Sequence, residues 1–574
     1  MTREDIADVL DNIALLLELK GENVFKTRAY KNGAEIVRSH DEDIVQLAKN
    51  DQLENIAGIG KALQEKIHEL ATTGKLEFYE NLRAEFPPTL FELFDIQGLG
   101  PKKIKALYDK LDIDSITSLK EACETGSISE LRGFGTKTVE KLLAAIELRE
   151  KFASHFRLGD VAVMAEVLLE SVRNHPATLR CCHAGSYRRS KEILHDIDIL
   201  VATDRPAELT KYFSELDEVE EIIACGDTKA SIRLENGLQA DLRAVSNKAF
   251  PFALQYFSGS KEHNVVLRQR ALKRGWSLNE YDFTVKEGAE EPPPINDESD
   301  IYKALQLDFI PPELRENRGE FEAAENGQIP RLVELENLRG TFHNHTTASD
   351  GRNSLEEMAE AAIDLGLEYL GIADHSKASF QANGLYPERL LKQIEEIKKL
   401  NQQWDGSFRL LAGSEVDILK DGSLDFSDDI LSQLDYVVAS VHNAFTLPEK
   451  EMTARIIKAM ENPHVTMLGH LTGRLLLRRE AYAVNVDKII DCAAETGTII
   501  ELNCNPRRLD MDWRHWHKAK DKGVKCAINP DAHRVEQLQF LAFGVRLARK
   551  GWLTKNDVIN TKTLPDVLNF LNIQ

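Results

Sequence analysis

The sequence lacks the features that mark membrane, secreted and zinc-ribbon proteins. No apolar run reaches the roughly 20 residues that a membrane-spanning helix needs. The first residues are charged from position 3 and contain no apolar signal-peptide core. The seven cysteines form no CxxC pair, which argues against a zinc ribbon and a disulfide framework. The sequence therefore predicts a cytoplasmic protein with reduced thiols and no membrane partner.

Positive charge is also scarce over the chain as a whole. There are 72 Lys and Arg residues against 94 Asp and Glu residues, for a formal net charge of −22. Binding nucleic acid over the whole surface requires an excess of Lys and Arg, so any such contact must be local. The 574 residues exceed what a single hydrophobic core organises, which predicts a multidomain protein.

A short motif recurs three times in the N-terminal part, at 53–67, 93–107 and 130–143. Each copy has a hydrophobic residue, a Gly-hydrophobic-Gly step and then the start of a helix. Glycines allow close approach of the backbone, and the free N–H groups of a helix N-terminus bind phosphate. The motif resembles the helix-hairpin-helix, which contacts the DNA backbone without reading sequence; the alternative is a tight turn between helices. The expected DNA-contacting glycines are Gly58, Gly60, Gly98, Gly100, Gly133 and Gly135.

The C-terminal region, 338–574, alternates apolar strand-like runs with helical segments. Strands in series, each followed by a helix, predict a parallel sheet closed into a barrel. The candidate strands lie at 340–346, 369–375, 409–419, 434–442, 465–471, 498–504 and 525–533.

Six of these strands carry metal-ligand residues in their last positions or directly after them. Barrel enzymes place their chemistry at this rim. Six imidazoles and three carboxylates exceed the needs of one ion and predict two or three Zn²⁺, Mn²⁺ or Fe ions. Such ions activate water for phosphoester hydrolysis. The predicted ligands are His343, His345, Asp350, His375, Glu415, His442, His470, Asp531 and His533.

This arrangement resembles the PHP (polymerase and histidinol phosphatase) family. The family pattern opens with H-x-H and closes with D-x-H, and the nine residues above meet it position by position. The resemblance implies a distorted seven-unit barrel with a trinuclear metal centre that hydrolyses phosphomonoesters or phosphodiesters.

A second acidic constellation lies in the middle of the chain. Asp196 and Asp198 begin an apolar strand and point to one face, and Asp241 stands alone in a later strand. Three carboxylates on adjacent strands hold two Mg²⁺ (or Mn²⁺) ions for transfer of a nucleotide from a triphosphate. Upstream, "GSYRR" (185–189) offers a glycine turn, a hydroxyl and guanidinium groups for the phosphates.

These residues resemble the nucleotidyltransferase palm of family-X DNA polymerases, typified by DNA polymerase beta. The segment "YFSGSKEHNVVLR" (256–268) is similar to the nucleotide-selecting segment of that family. The resemblance implies triphosphate contacts, a turn beside the sugar, and contacts to the base pair and template. The corresponding nucleotide-binding residues are Gly185, Ser186, Arg189, Tyr256, Phe257, Gly259, Asn264 and Arg268.

The order of the parts resembles the layout of bacterial and archaeal family-X polymerases. The expected fold is multidomain: helical N-terminal domains with helix-hairpin-helix motifs, an α+β palm and thumb, and a distorted (βα)7 PHP barrel. The expected boundaries are 1–88 for a helical DNA-end domain, 89–150 for a helix-hairpin-helix domain, 151–255 for the palm, 256–315 for the thumb, 316–337 for a linker and 338–574 for the barrel.

The N-terminal domain departs from the animal relatives, which remove 5′-deoxyribose phosphate through a lysine Schiff base. Lys66 occupies the position of that lysine. Phe25 and Asn32, however, stand where the relatives carry His and Lys, so the basic pocket is thinner. A lyase activity of Lys66 is therefore a hypothesis beside that of a solvated surface lysine.

Together these patterns predict a monomeric repair enzyme that binds gapped or primed DNA and deoxynucleoside triphosphates. It would fill short gaps and act as a 3′-5′ exonuclease, with abasic-site cleavage and 3′-phosphate removal left open. One alternative is a PHP phosphoesterase whose polymerase half mainly docks DNA. Another is a non-catalytic scaffold that binds DNA ends.

Overall fold

The computed structural model describes residues 3–39, 44–50, 52–56, 58–96, 98–151, 154–404 and 406–573. Backbone packing divides the chain into two units, 1–153 and 154–574, which are taken separately. None of the helices within the described ranges is long and apolar enough to cross a bilayer.

The first unit is helical and has two small apolar cores. The glycine that opens each repeated motif has a positive φ, +89° at Gly58, +94° at Gly98 and +97° at Gly133, which side chains disfavour. The hydrophobic residue between the glycines is buried, and a helix begins after the second glycine. The helices are α1 (Arg3–Lys20), α2 (Val24–Ser39), α3 (Ile44–Lys49), α4 (Lys61–Thr73), α5 (Glu77–Ala84), α6 (Pro101–Leu111), α7 (Ile116–Glu124) and α8 (Thr136–Lys151).

The second unit begins with a mixed sheet. The elements are β1 (Phe156–Arg157), α9 (Leu158–Asn174), β2 (Arg180–His183), α10 (Gly185–Arg188), β3 (Ile193–Leu194), β4 (Asp196–Ala202), α11 (Pro206–Ser214), β5 (Val219–Cys225), β6 (Lys229–Leu234) and β7 (Gln239–Val245). Strand order is β2-β4-β7-β6-β5, with β4 and β7 parallel and the other neighbours antiparallel.

A smaller layer of helices and a hairpin follows the sheet. It contains α12 (Phe250–Ser258), α13 (Lys261–Lys273), β8 (Trp276–Leu278), β9 (Phe283–Val285), α14 (Glu298–Ala304) and α15 (Glu320–Glu325). The segment 316–337, expected to be a linker, is folded: Phe321 and Leu332 are buried in the core of this layer. Burial of these apolar side chains ties the segment to the second unit.

The rest of the second unit is a barrel of parallel strands. Within the described residues the sheet has seven strands in chain order, and a bridge between Asn344 and Ala532 brings its first and last strands together. The predicted distorted (βα)7 barrel is confirmed. The strands are β10 (Gly340–Thr341), β11 (Tyr369–Ile372), β12 (Arg409–Asp417), β13 (Tyr436–Ser440), β14 (Met467–Leu468), β15 (Ile499–Asn503) and β16 (Cys526–Asn529).

Helices cover the outside of this barrel, and buried side chains such as Phe342, Tyr369 and Tyr436 fill its inside. One continuous apolar core joins the barrel to the mixed sheet, and Gly159 packs against Pro506. The helices are α16 (Leu355–Asp364), α17 (Pro387–Asn401), α18 (Asp428–Leu431), α19 (Glu449–Met460), α20 (Val486–Thr496), α21 (Trp513–Asp521), α22 (Leu541–Lys550) and α23 (Leu564–Phe570).

Candidate active sites

The three central acids lie on neighbouring parallel strands. Asp196 and Asp198 are on β4, where Ile197 between them is buried, so both carboxylates face away from the core. Asp241 on β7 is the register partner of Asp198. The fold thus gathers three carboxylates on one face of the sheet, and this cluster is called the palm triad below.

The carboxylates of the palm triad repel one another. Burial and the charges of Asp196 and Asp241 raise the pKa of Asp198 to about 7. Burial opposes ionisation of Asp241, but hydrogen bonds led by that of Lys229 outweigh it and lower the pKa of Asp241. The Lys229 Nζ lies 2.6 Å from Asp241 Oδ2. A partly buried acidic cluster with one ammonium beside it fits the demands of divalent cations with oxygen ligands.

The glycine turn lies directly against this triad. Gly185 has φ +59°, and a Cβ built on it would lie 1.9 Å from Asp198 Oδ2. Only glycine fits there, because any side chain would displace the carboxylate. The next residue, Ser186, lies in the first turn of α10, beside the triad.

Both arginines after this turn are held by acids that the sequence analysis does not identify. Arg188 Nη2 lies 2.7 Å from Glu298 Oε2. Arg189 Nε lies 3.2 Å from Glu316 Oε1, and its Nη1 donates to the carbonyl of Ser258 at 2.7 Å. The expected triphosphate-binding arginine is therefore engaged by a carboxylate in this structure.

The segment 256–268, which is expected to select the nucleotide, spans the end of α12 and the first part of α13. The rings of Tyr256 and Phe257 lie 5.0 Å apart, edge to face, and the Arg268 guanidinium lies 5.9 Å from the Tyr256 ring. Asn264 is buried: its Nδ2 donates to the carbonyl of Tyr256 at 2.6 Å. A Cβ on Gly259 would lie 2.4 Å from Asn264 Oδ1, so this turn also requires glycine. In this conformation the Asn264 amide faces its own subdomain.

The nine predicted ligands of the barrel converge at one rim. Except for Glu415, which is in β12, and Asp350, which is in the loop before α16, they lie two to four residues after strand ends. The ligands form three overlapping subsets, and within each subset the ligand atoms lie within 4.8 Å of one another. Glu415 belongs to two of these subsets. The remaining two ligands join them: His470 Nε2 is 2.9 Å from Glu415 Oε1, and His345 Nε2 is 3.3 Å from Asp531 Oδ1. We call this group the barrel centre.

Glu415 provides a carboxylate that several histidines of the barrel centre share. Its carboxylate lies 2.9 Å from His375 Nδ1, 3.1 Å from His442 Nε2 and 3.4 Å from His343 Nε2. Burial opposes its charge, but these imidazoles outweigh burial and lower the pKa of Glu415 well below its usual value.

Further carboxylates outside the ligand set orient the imidazoles. His343 Nδ1 lies 2.6 Å from Glu501 Oε2, and His442 Nδ1 lies 3.2 Å from Asp417 Oδ1. Both acids are buried. A carboxylate behind a histidine fixes the ring and raises its basicity, as in metal sites generally. Glu501 comes from β15, the strand without a predicted ligand, and its isolation among apolar residues is the signal that would have found it.

Several ring nitrogens of the barrel centre make no hydrogen bond. Among the described residues, His343 Nε2 and both ring nitrogens of His345 are buried without a hydrogen-bond partner. Burial and the neighbouring rings of His533 and His375 lower the pKa of His345 to about 4. The imidazole is therefore neutral near pH 7, the form whose nitrogen lone pair can bind a metal ion. Buried unpaired nitrogens are costly, so this donor set fits transition-metal ions.

The barrel centre opens into a cleft of 370 Å³. Arg508 lines it, with its Nε 3.5 Å from Asp531 Oδ2, and so does Phe380, whose side chain is largely exposed. A guanidinium beside imidazoles and carboxylates suits an anionic substrate such as a phosphoester.

Lys66 lies in the first unit, on α4. Its Nζ is 4.8 Å from the centroid of the Phe78 ring, which stacks on Tyr30. These contacts do not test the lyase hypothesis, and it stays a prediction.

Comparisons with known proteins match four parts of the chain. Family models match at 1–76 (helix-hairpin-helix domain), 91–148 (SAM-like helix-hairpin-helix tandem), 253–316 (DNA polymerase beta thumb) and 341–505 (PHP domain). The match to the thumb model lies on the segment with Tyr256 and Gly259, and the match to the PHP model includes seven of the nine barrel ligands.

Two kinds of relative are found. The DNA polymerase/3′-5′ exonuclease PolX of Bacillus subtilis is 40% identical over 574 residues, 100% of this chain and 99% of that protein. A probable phosphatase of Thermoanaerobacter sp. is 28% identical over 230 residues, 38% of this chain and 89% of that protein. A probable phosphatase of Acetivibrio thermocellus is 32% identical over 200 residues, 33% of this chain and 78% of that protein.

Proposed function

Because this chain belongs to the family-X DNA polymerases with a C-terminal PHP domain, we propose that the palm triad adds nucleotides in short DNA gaps and that the barrel centre trims 3′ ends. The polymerase half rests above all on the pairing of Asp198 with Asp241 across parallel strands. The hydrolytic half rests on the convergence of nine ligand-type residues at the barrel rim. Filling gaps and trimming ends are both steps of base excision repair.

In the extension reaction the primer 3′ oxygen attacks the α-phosphorus of a deoxynucleoside triphosphate. The new bond joins these two atoms, and pyrophosphate leaves with the bridging oxygen. The turn at Gly185 and Ser186 brings backbone N–H groups to the triphosphate, and Arg189 neutralises its charge. Tyr256 and Phe257 flank the sugar, and Arg268 and Asn264 face the base pair once the thumb closes.

The palm triad would hold two Mg²⁺ or Mn²⁺ ions. When bound, such ions favour the ionised 3′ hydroxyl and neutralise the triphosphate. The residues themselves supply oxygen ligands on a rigid sheet, and Lys229 favours the ionised form of Asp241.

The barrel centre would hydrolyse the terminal phosphodiester of a 3′ strand. A water oxygen attacks phosphorus, the bond to the 3′ oxygen of the preceding nucleotide breaks, and a nucleoside monophosphate leaves. The nine ligands would hold two or three Zn²⁺, Mn²⁺ or Fe ions, which lower the pKa of water. Cleavage at abasic sites and removal of 3′-phosphates use the same displacement and differ only in the product.

We also propose that gapped DNA is held by its backbone and that the enzyme acts as a monomer. The glycines of the three repeated motifs would contact phosphates on both sides of the gap. The domain boundaries proposed for this work are 1–88, 89–150, 151–255, 256–315 and 338–574, with 316–337 between the thumb and the barrel.

One assay tests both halves. A gapped duplex with a labelled primer is incubated with Mg²⁺ or Mn²⁺, with and without nucleotides, so that extension and shortening are seen separately. Asp241→Ala should reduce extension by about 10³-fold and leave shortening within about twofold, whereas His343→Ala, His345→Ala should do the reverse.

Matched controls are Asp227→Ala, an exposed acid of the palm, and His464→Ala, a histidine outside the barrel centre. Both should leave both reactions unchanged. Extension that survives Asp241→Ala, or shortening that survives the double His variant, would refute the corresponding assignment.

A further inference from the structure

A helix of the barrel holds the back of the palm's triphosphate segment. On α22, Lys550 Nζ donates to the carbonyl of Arg189 at 2.8 Å. Arg546 donates to the Ser190 hydroxyl at 3.2 Å and to the carbonyl of Tyr187. Because Arg546 and Lys550 are four residues apart, one face of α22 lies along this segment.

Lys550 is fully buried, which is unusual for a lysine. Besides Arg189, its ammonium donates to Glu316 Oε1 at 2.7 Å and to the carbonyl of Glu313 at 3.3 Å, so all three of its N–H groups have acceptors. Burying an ammonium is costly unless a charge partner compensates it. The partner that provides this compensation is Glu316.

Glu316 in turn collects three cations. Its carboxylate lies 3.2 Å from Arg189 Nε, 3.2 Å from Lys191 Nζ and 2.7 Å from Lys550 Nζ. Burial opposes ionisation, but these charges, led by that of Lys550, outweigh it and lower the pKa of Glu316 to about 2. Three positive groups against one carboxylate leave an excess of positive charge beside the segment that is proposed to receive the triphosphate.

Arg189 faces two competing demands. It pairs with Glu316 in this structure, yet nucleotide binding requires its guanidinium at the triphosphate. When Arg189 leaves, Glu316 keeps Lys191 and Lys550 as partners. Without Lys550, Glu316 would be compensated by Arg189 and Lys191 alone. The departure of Arg189 would then leave this buried carboxylate with Lys191 as its one remaining partner among the three cations, which is costly.

We propose that Lys550 of the barrel is a positioning residue for nucleotide binding in the palm: it shares the charge of Glu316 and thereby frees Arg189 for the incoming triphosphate. This inference rests on the proposed role of Arg189 in nucleotide binding. By this proposal the barrel contributes to nucleotide binding in the palm, in addition to carrying out its own hydrolytic reaction.

Primer-extension kinetics of the full chain test this coupling. Lys550→Met should raise KM for the nucleotide about 10-fold, with kcat and 3′ shortening within about twofold of wild type. The matched control is Lys520→Met, since Lys520 is a barrel lysine that donates to the Trp552 carbonyl and pairs with Asp557. It should leave KM unchanged.

Rescue separates positioning from simple support of the fold. In Lys550→Met, Glu316→Gln the charge that retains Arg189 is gone, so KM should return to within about threefold of wild type. A wild-type KM in Lys550→Met, or a double variant whose KM stays high, would overturn the proposal. If Lys550→Met does not fold, as judged by thermal melting, Lys550→Gln keeps hydrogen-bond donors without the charge and undergoes the same test.

Arg189→Ala distinguishes failure of this inference from failure of the proposed function. A raised KM in Arg189→Ala with an unchanged KM in Lys550→Met would overturn only the role of Lys550. An unchanged KM in Arg189→Ala would refute the nucleotide-binding role of Arg189 and the inference with it.

Discussion

The palm triad and the barrel centre both gather acids, but they surround them differently. The palm triad consists of three carboxylates on two neighbouring parallel strands, with Lys229 as the neighbouring cation. The barrel centre mixes imidazoles with carboxylates, and its histidines are oriented by Glu501 and Asp417.

These different surroundings prepare the two sites for metal ions in different ways. In the palm triad, burial and the charges of Asp196 and Asp241 raise the pKa of Asp198 to about 7, so ionisation of the site is unfavourable until cations bind. In the barrel centre, carboxylates already hold the rings of His343 and His442, and His343 Nε2 and both ring nitrogens of His345 are buried without a hydrogen-bond partner. We therefore expect the barrel to retain its ions and the palm to acquire its ions together with nucleotide and DNA.

The greatest loss of activity is expected when the shared carboxylate of the barrel centre, Glu415, is removed. Glu415→Ala should lower the rate of 3′ shortening by about 10³-fold, because four imidazoles lose their shared carboxylate. Extension rates should stay within about twofold. Measurement of both rates on one labelled duplex checks this, and a parallel loss of extension would contradict the assignment of the two reactions to separate centres.

A smaller effect is expected when a carboxylate that orients a ligand histidine is changed. Glu501→Gln should weaken metal affinity of the barrel about 10- to 100-fold, because His343 loses its orienting carboxylate. Titration of the metal-depleted protein against the shortening rate measures this, with Glu536→Gln, an acid largely exposed at 71%, as the control. Equal affinities in both variants would show that the outer carboxylate has no role.

The strain in the palm triad predicts a pH-dependent stability difference. The folded-state pKa of Asp198, about 7, lies above the usual value of 3.8, so ionisation destabilises the metal-free protein increasingly between about pH 4 and pH 7. Asp198→Asn should therefore stabilise that protein by about 4 kcal/mol at pH 8 and by less than half as much near pH 5. Urea unfolding in the presence of a chelator measures this, and an equal effect at both pH values would contradict the repulsion.

The smallest effect should fall on both reactions alike. Gly98→Ala places a side chain at φ +94° and should disturb a proposed DNA contact, raising KM for DNA about threefold in both extension and shortening. Gly74→Ala is the control, because Gly74 also has a positive φ, +73°, but lies outside the repeated motifs. An effect on only one reaction would mean that the two sites do not share this DNA contact.

The barrel centre could be predicted in detail because parallel strands end at the same rim. Once seven strands were recognised, residues such as His375 and His442 had to converge, whatever the lengths of the intervening helices. The palm acids followed from the alternation of a strand in the same way.

The contacts between distant segments could not be predicted. Glu316 lies in a segment expected to be a linker, and nothing in its local pattern indicates a pairing with Lys550, 234 residues away. The alternation of buried and exposed residues reports which face a side chain takes, but not which charged partner from another layer meets it. The same limit hid the role of Glu298 beside Arg188.

Metal analysis of the purified full-length protein can decide whether two separate centres serve the two reactions. After dialysis against metal-free buffer, wild type and the Asp198→Asn, Asp241→Asn variant should each retain about two to three ions per chain, whereas Glu415→Ala should retain markedly fewer. Wild-type protein without bound ions, or ions lost from the palm variant but kept by Glu415→Ala, would contradict the account.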